Sequence, residues 1–204
     1  MPTATAMRIL AAAEEQFAAK GLAGARTDEI AAAARANKAM LYYYFGDKRR
    51  LHRTVLENLF QQLRSGISSE PGAAESPRER LRAITVAYFD FLAAHPNYPR
   101  LMQREAMAAT KNVDWIVREY LRPLHAQLSR AIAEGIEARE LRRVDPKQAA
   151  ITILGMVTSY FAAAPILSRI AGRDLLSAEA IRGRKDALLD FMEHGLLAGN
   201  KGCR

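Results

Sequence analysis

The sequence predicts an all-α protein in two parts: an N-terminal three-helix unit containing a helix-turn-helix, then a longer C-terminal helical domain. Three observations lead there. Apolar residues recur at three- and four-residue spacing along nearly the whole chain, and no convincing segment alternates as a strand does. The periodic runs are short before residue 50 and much longer after residue 77, and SSEPGAAESP at 68–77 has the Pro, Gly, Ser and Glu content of a connection between the two regimes. With 204 residues, 50% hydrophobic and 25% charged, the chain is long enough for a small domain joined to a larger one.

Taken in order, Ile9, Leu10, Ala13 and Phe17 share one face of a first helix, which Gly21 and Gly24 end. Thr27 is expected to cap a short second helix that turns Ile30 inward. A third, unusually aromatic cluster runs from Met40 to Phe45, and Asp47 caps a longer helix carrying Leu51, Val55, Leu56, Leu59, Phe60 and Leu63. Beyond the connection, amphipathic segments span Leu81–Ala94, Tyr98–Thr110, Val113–Ala138, Pro146–Ala171 and Ala178–Ala198. Pro123 places a kink or a fresh helix start just before itself, and Pro146 suits a first turn behind Asp145 as N-cap. The HPNYPR segment at 95–100 reads as a rigid lead-in to a helix.

The formal charge of +8 favours an acidic partner, nucleic acid ahead of an anionic membrane. Its distribution is sharper than its sum. Between Arg35 and Arg53 stand Arg35, Lys38, Lys48, Arg49, Arg50 and Arg53, opposed only by Asp47, which is the footprint of a phosphate-binding surface. The single cysteine, Cys203, leaves no internal disulfide and no cysteine-based zinc site. The N-terminus lacks a signal-peptide pattern, and the longest apolar stretch, Ala149 to Ile170, is interrupted by Thr152, Thr158, Ser159, Pro165 and Ser168. A cytoplasmic protein with no membrane partner is expected. His52, His95, His125 and His194 are scattered singly without an E-x-x-H pair, so no di-iron bundle is supported and no metal or cofactor is expected.

The most informative segment is Thr27 to Lys48, TDEIAAAARANKAMLYYYFGDK. Two short helices joined by a tight turn at 34–37, the second capped by Asn37, are what a helix-turn-helix needs to project its second helix into a major groove. Alanines at 31–34 let the helices approach closely. Leu41 and Phe45, four apart, face inward and leave Lys38, Ala39, Tyr42 and Tyr43 pointing outward. Ile9, Leu10, Ala12, Phe17, Gly21, Thr27, Ile30, Ala31, Leu41, Tyr42, Phe45 and Lys48 together resemble the N-terminal pattern of the TetR family of transcriptional regulators over residues 7–51. The resemblance implies that Thr27, Tyr42, Tyr44 and Lys48 touch the DNA backbone, while Lys38, Ala39 and Tyr43 lie nearest the bases. One position departs from the pattern: Arg35 stands where the family usually has Gly, so either Arg35 adopts the needed backbone angle at some cost or the turn has another shape.

The resemblance also implies a division into a DNA-binding domain over 1–50 and an effector-binding and dimerisation domain over 51–204. Residues 136–149 resemble the connection before the last two helices, through which the family forms homodimers that read palindromic operators on double-stranded DNA. Gly155, Ser159 and the stripe Leu188, Leu189, Met192 and Leu196 agree with close helix approach there. A small-molecule effector is implied among the middle helices, where Tyr88, Phe91, Met102, Glu105, Trp115, Tyr120, His125, Met156 and Tyr160 are candidates and Glu105 or His125 could serve as polar handle. The implied function is a repressor released from its operator by that effector. Three alternatives stay open: an activator in place of a repressor, a dimeric DNA-binding regulator without an effector, and a helical-bundle enzyme. For the enzyme the sequence offers no GxSxG, P-loop, GxGxxG or zinc spacing.

Overall fold

A computed structural model describes residues 3–67, 76–108 and 111–196. The connection expected at 68–77, apart from Ser76 and Pro77, lies outside these, as does Cys203. The described elements are α1 (Ala4–Gly24), α2 (Thr27–Ala33), α3 (Lys38–Phe45), α4 (Lys48–Ile67), α5 (Pro77–Ala94), α6 (Tyr98–Ala108), α7 (Lys111–Ile116), a π-helical turn (Val117–Leu121), α8 (Arg122–Glu137), α9 (Pro146–Ala171) and α10 (Ala178–Leu196). They divide into two compact units, Met1–Gln62 with His95–Trp115, and Leu63–Ala94 with Ile116–Arg204.

In the first unit α1 packs against α2, α3 and α6. Ile9, Phe17, Ile30, Leu41, Leu51 and Phe60 are fully buried, each worth about 1.5–3 kcal/mol of transfer from water. Helix ends follow local chemistry. The Thr3 hydroxyl accepts from the Ala6 amide, the Asn37 Oδ1 accepts from the Ala39 amide at 2.9 Å, and the Asp47 carboxylate accepts from the Arg50 amide at 2.8 Å. Gly21, at φ 70°, breaks α1 one turn before its end, a backbone angle that costs glycine nothing. Thr27 is not the cap of α2. That place falls to Arg26, whose carbonyl accepts from the Ile30 amide, so the Thr27 hydroxyl is free to meet another partner.

The turn after α2 resolves the question at Arg35. The Arg35 amide donates to the Ala32 carbonyl and the Ala36 amide to the Ala31 carbonyl, the double closure of a Schellman motif, with Arg35 left-handed at φ 50°. Arginine therefore adopts the angle glycine would take. The same motif ends α8, where Arg139 sits at φ 60°.

In the second unit α8 packs on α5 and α9, α5 packs on α9, and α10 packs on α5. α8 starts afresh at Arg122, with Pro123 in its first turn as expected, and the disturbance also reaches upstream. The missing N–H of Pro123 cannot close a normal turn, and the ladder widens upstream, with the Arg122 amide donating to the Val117 carbonyl five residues back. Tyr88 and Thr158 hydroxyls meet at 2.8 Å across α5 and α9, while Arg80 pairs with Glu134 and Lys185 with Asp90. Gly135 is set by packing, since a Cβ there would lie 2.7 Å from the Leu141 side chain. The Asp145 carboxylate accepts from the Lys147 and Gln148 amides, with Pro146 in the first turn of α9. By length and composition α9 is apolar enough to cross a membrane, with a mean hydropathy of 1.8, as a core helix can also be. Ala150, Ile153, Val157, Tyr160, Phe161 and Ala164 form its buried face.

Of the apolar stripe read on α10, Leu188 and Met192 are buried within their own unit and Leu189 is half-buried, whereas Phe191, which lies outside that stripe, is 62% exposed. The Leu196 side chain lies outside the described residues. On α9 the exposed face runs through Ile151, Gly155, Ser159, Ile166 and Ile170, and a Cβ at Gly155 would meet nothing within 4 Å.

Candidate nucleic-acid interface

The seven residues expected to meet DNA converge at the helix-turn-helix. Asn37 caps α3, so the chain enters the helix with Lys38 and Ala39 in its first turn, both exposed. Leu41 anchors the opposite face in the core, which turns Tyr42 and Tyr43 outward, 44% and 80% exposed. Two adjacent exposed tyrosines on this helix offer rings and hydroxyls to a partner surface. Tyr44 and Phe45 are half-buried, and the rings of Tyr43 and Tyr44 meet edge to face at 5.2 Å.

Thr27 and Tyr42 come together across the turn, their hydroxyls 3.4 Å apart, so the start of α2 and the middle of α3 present two hydroxyls side by side. Lys48, in the first turn of α4, donates from Nζ to the Ala25 carbonyl at 3.0 Å and to the Ala23 carbonyl at 3.3 Å. Its ammonium is thus held two residues from Thr27. Two adjoining hydroxyls, with an ammonium anchored two residues away along the chain, suit the oxygens of a phosphate backbone.

Two ion pairs frame this surface. Lys20 meets Glu29 at 2.5 Å, and Lys38 meets Asp28 at 2.6 Å. The second pair was not foreseen in the sequence, because it joins α2 to α3 across the turn and depends on their crossing. Bonding to Lys38 holds the Asp28 carboxyl below its usual range, and bonding to Asp28 holds the Lys38 ammonium above its own. Arg49 and Arg50 remain exposed beside Lys48.

The nine effector candidates divide between the two units. Met102, Glu105 and Trp115 belong to the first unit, and Tyr88, Phe91, Tyr120, His125, Met156 and Tyr160 to the second. Glu105 is buried, 3.4 Å from His52 Nε2 and accepting from Asn112 Nδ2 at 3.0 Å. Asn112 in turn accepts from Arg53, whose guanidinium lies 3.2 Å from the centre of the Trp115 ring. The carboxylate read as a ligand handle thus belongs to a polar network. Burial pushes the His52 imidazole below its ordinary value, with Glu105 pulling the other way.

In the second unit, His125 Nε2 lies 3.2 Å from the Lys147 carbonyl, the Tyr160 hydroxyl donates to the Leu175 carbonyl at 2.6 Å, and Tyr88 and Phe91 are buried. Tyr120 lines a small cavity with Arg64, Glu119 and Leu124, beside the π-helical turn. Met156 lines a separate groove of about 350 Å³ with Val144, Ile153 and Phe191.

Comparison with known proteins agrees with this architecture. Residues 9–55 match the family model for bacterial regulatory proteins of the tetR family, and residues 77–192 match that of the tetracyclin repressor-like C-terminal domain. The HTH-type transcriptional repressor SCO4008 of Streptomyces coelicolor is 42% identical over 106 residues, 52% of this chain and 52% of its own length. The chain spans about half the length of the curated relatives it matches. Among solved structures, the transcriptional regulator SCO4942 of Streptomyces coelicolor is 28% identical with a TM-score of 0.64, covering 94% of this chain and 98% of its own. A regulator from Saccharomonospora viridis, solved in complex with choline, shares the fold at 15% identity and a TM-score of 0.73, covering 95% of this chain and 98% of its own. Matched in both its N-terminal and its C-terminal parts, the chain belongs to the TetR family of bacterial regulators.

Proposed function

We propose that the chain is a transcriptional repressor that binds a palindromic operator as a homodimer and leaves it when a small molecule binds. The observation that carries the reading is the meeting of the Thr27 and Tyr42 hydroxyls beside Lys48, next to a recognition helix whose Tyr43 is 80% exposed. Residues 1–50 serve as the DNA-binding domain and 51–204 as the effector and dimerisation domain. Thr27, Tyr42, Tyr44 and Lys48 hold phosphates, and Lys38, Ala39 and Tyr43 face base edges. The repressor SCO4008 supports the sign of regulation by likeness.

The dimer uses α9 and α10. Ile151, Gly155, Ser159 and Ile166 on α9 and Gly183, Ala187 and Phe191 on α10 are exposed, small residues alternating with large apolar ones, which favours helix-to-helix packing against the same face of a second copy. An effector is expected in the C-terminal domain, where a small cavity beside Tyr120, with Arg64 and Glu119 at its rim, lies apart from that face. Selection of duplexes from a random pool by the pure protein tests the first part: a two-fold symmetric consensus with half-sites about one helical turn apart is expected. Recovery of no enriched sequence would overturn it. Melting the protein with a metabolite library tests the second, since a ligand of the native state raises Tm by mass action.

A further inference from the structure

The Lys38 ammonium is committed before DNA arrives. Its Nζ lies 2.6 Å from Asp28 Oδ1, and both side chains are about half exposed on the surface that carries Thr27 and Tyr42. We propose that Asp28 is a specificity-determining residue, which makes the tip of the recognition helix reject phosphates and accept guanine. The inference rests on the DNA-binding function proposed above.

The argument is one of charge and donor count. A free lysine on this surface would gain most from phosphate, an anion present at every sequence. Paired with Asp28, the lysine forms a neutral unit. Moving it onto a phosphate either breaks the ion pair or brings a carboxylate beside a second anion, and both offset the gain. Guanine N7 and O6 are neutral acceptors, so no like-charge penalty arises there. An ammonium has three N–H donors, enough to keep Asp28 and still donate to guanine. The pair therefore lowers binding to arbitrary DNA more than binding to a site with guanine at the matching position. Asp28 also lies in the first turn of α2, where a carboxylate favours the helix start, so a purely structural role is the competing account.

Asp28→Asn keeps the shape and removes the charge. The full-length protein, the selected operator and a scrambled duplex are compared by fluorescence anisotropy over a range of KCl concentrations. For Asp28→Asn, affinity for the scrambled duplex should rise about tenfold, the order expected from freeing two exposed ion pairs in a dimer. The salt slope should steepen by about one unit per recognition helix. Operator affinity should rise less, so the ratio of the two narrows. In a Lys38→Gln background the same change should steepen the slope far less, because no ammonium remains to be freed. An unchanged ratio, or an equal loss at both duplexes as a helix-start role predicts, would overturn the proposal. If the wild-type protein binds no duplex with salt dependence, the DNA-binding reading fails instead.

Discussion

Replacing Lys48 by Ala separates affinity from specificity. In the folded chain its ammonium donates to the Ala23 and Ala25 carbonyls at 3.3 and 3.0 Å, which leaves one N–H for a phosphate. Removing it has two costs of different kind. The first is structural: loss of one exposed and one partly buried hydrogen bond at the end of α1, together worth about 1 kcal/mol after solvent competition, should lower Tm by a few degrees. The second appears only on DNA. One lost phosphate contact per subunit lowers the slope of log K against log salt by about 0.9, hence about 1.8 for a dimer. Across a fourfold rise in salt that slope difference amounts to about tenfold, so the variant's deficit should be largest at low salt and shrink as salt rises. Anisotropy titrations of operator and scrambled duplexes at several KCl concentrations read both effects. The losses on the two duplexes should run parallel, because a phosphate contact carries no sequence information. A variant that kept the wild-type slope while changing the preferred sequence would refute the phosphate assignment.

Phe191→Asp should convert the proposed dimer to a monomer in sedimentation while the helical signal in circular dichroism persists, since Phe191 is exposed on its own chain. An unchanged dimer would move the interface away from α10. For His52, burial holds the folded pKa below 6.5, so as pH falls beneath that value the unfolded chain takes up the proton first and stability declines. His95 works in the same direction, whereas Glu14, whose carboxyl burial raises, opposes the decline at lower pH. His52→Gln should therefore roughly halve the fall in Tm between pH 7 and 5.5, and an unaltered slope counts against a neutral buried His52. Arg35→Gly relieves a left-handed angle worth about 1–2 kcal/mol but loosens the unfolded chain by about 0.4–1 kcal/mol, so stability should hold or rise slightly. Arg35→Val should lose more than 1 kcal/mol in urea unfolding, and equal stability of the two variants would argue against the Schellman turn.

The helix limits were legible because caps and breakers act locally. Asp145 followed by Pro146 announces α9 in four residues, and the structure begins that helix there. The break before α8 shows where local signals end. Pro123 marks a disturbance, but whether the chain kinks, restarts or widens is decided by which carbonyl the Arg122 amide reaches, and it reaches Val117. Thr27 is a similar case. Its residue type favours a cap, yet the chain places it one position inside α2, because Arg26 supplies the carbonyl for Ile30 and the hydroxyl then meets Tyr42.

The two candidate sites differ in legibility for a physical reason. Residues 27 to 48 form a contiguous stretch whose outward face follows from helical periodicity and two caps, so Lys38, Ala39, Tyr42 and Tyr43 could be read as exposed from sequence alone. An effector cavity has no such period. It is a gap left between helices, and the aromatic and methionine side chains that line a gap are the same ones that fill a core. A polar residue among them is the better signal, but only its partners decide what it does. Glu105 offers such a polar handle, and its burial also demands compensation for the carboxylate. The structure supplies that compensation from His52 and Asn112, and through Asn112 from Arg53 over Trp115, which turns a candidate ligand contact into a buried tie between α4, α6 and α7. An effector that engaged Glu105 would have to replace those bonds with its own donors. A purely apolar ligand cannot do so, and binding one against Glu105 would leave the carboxylate buried without the donors it now has.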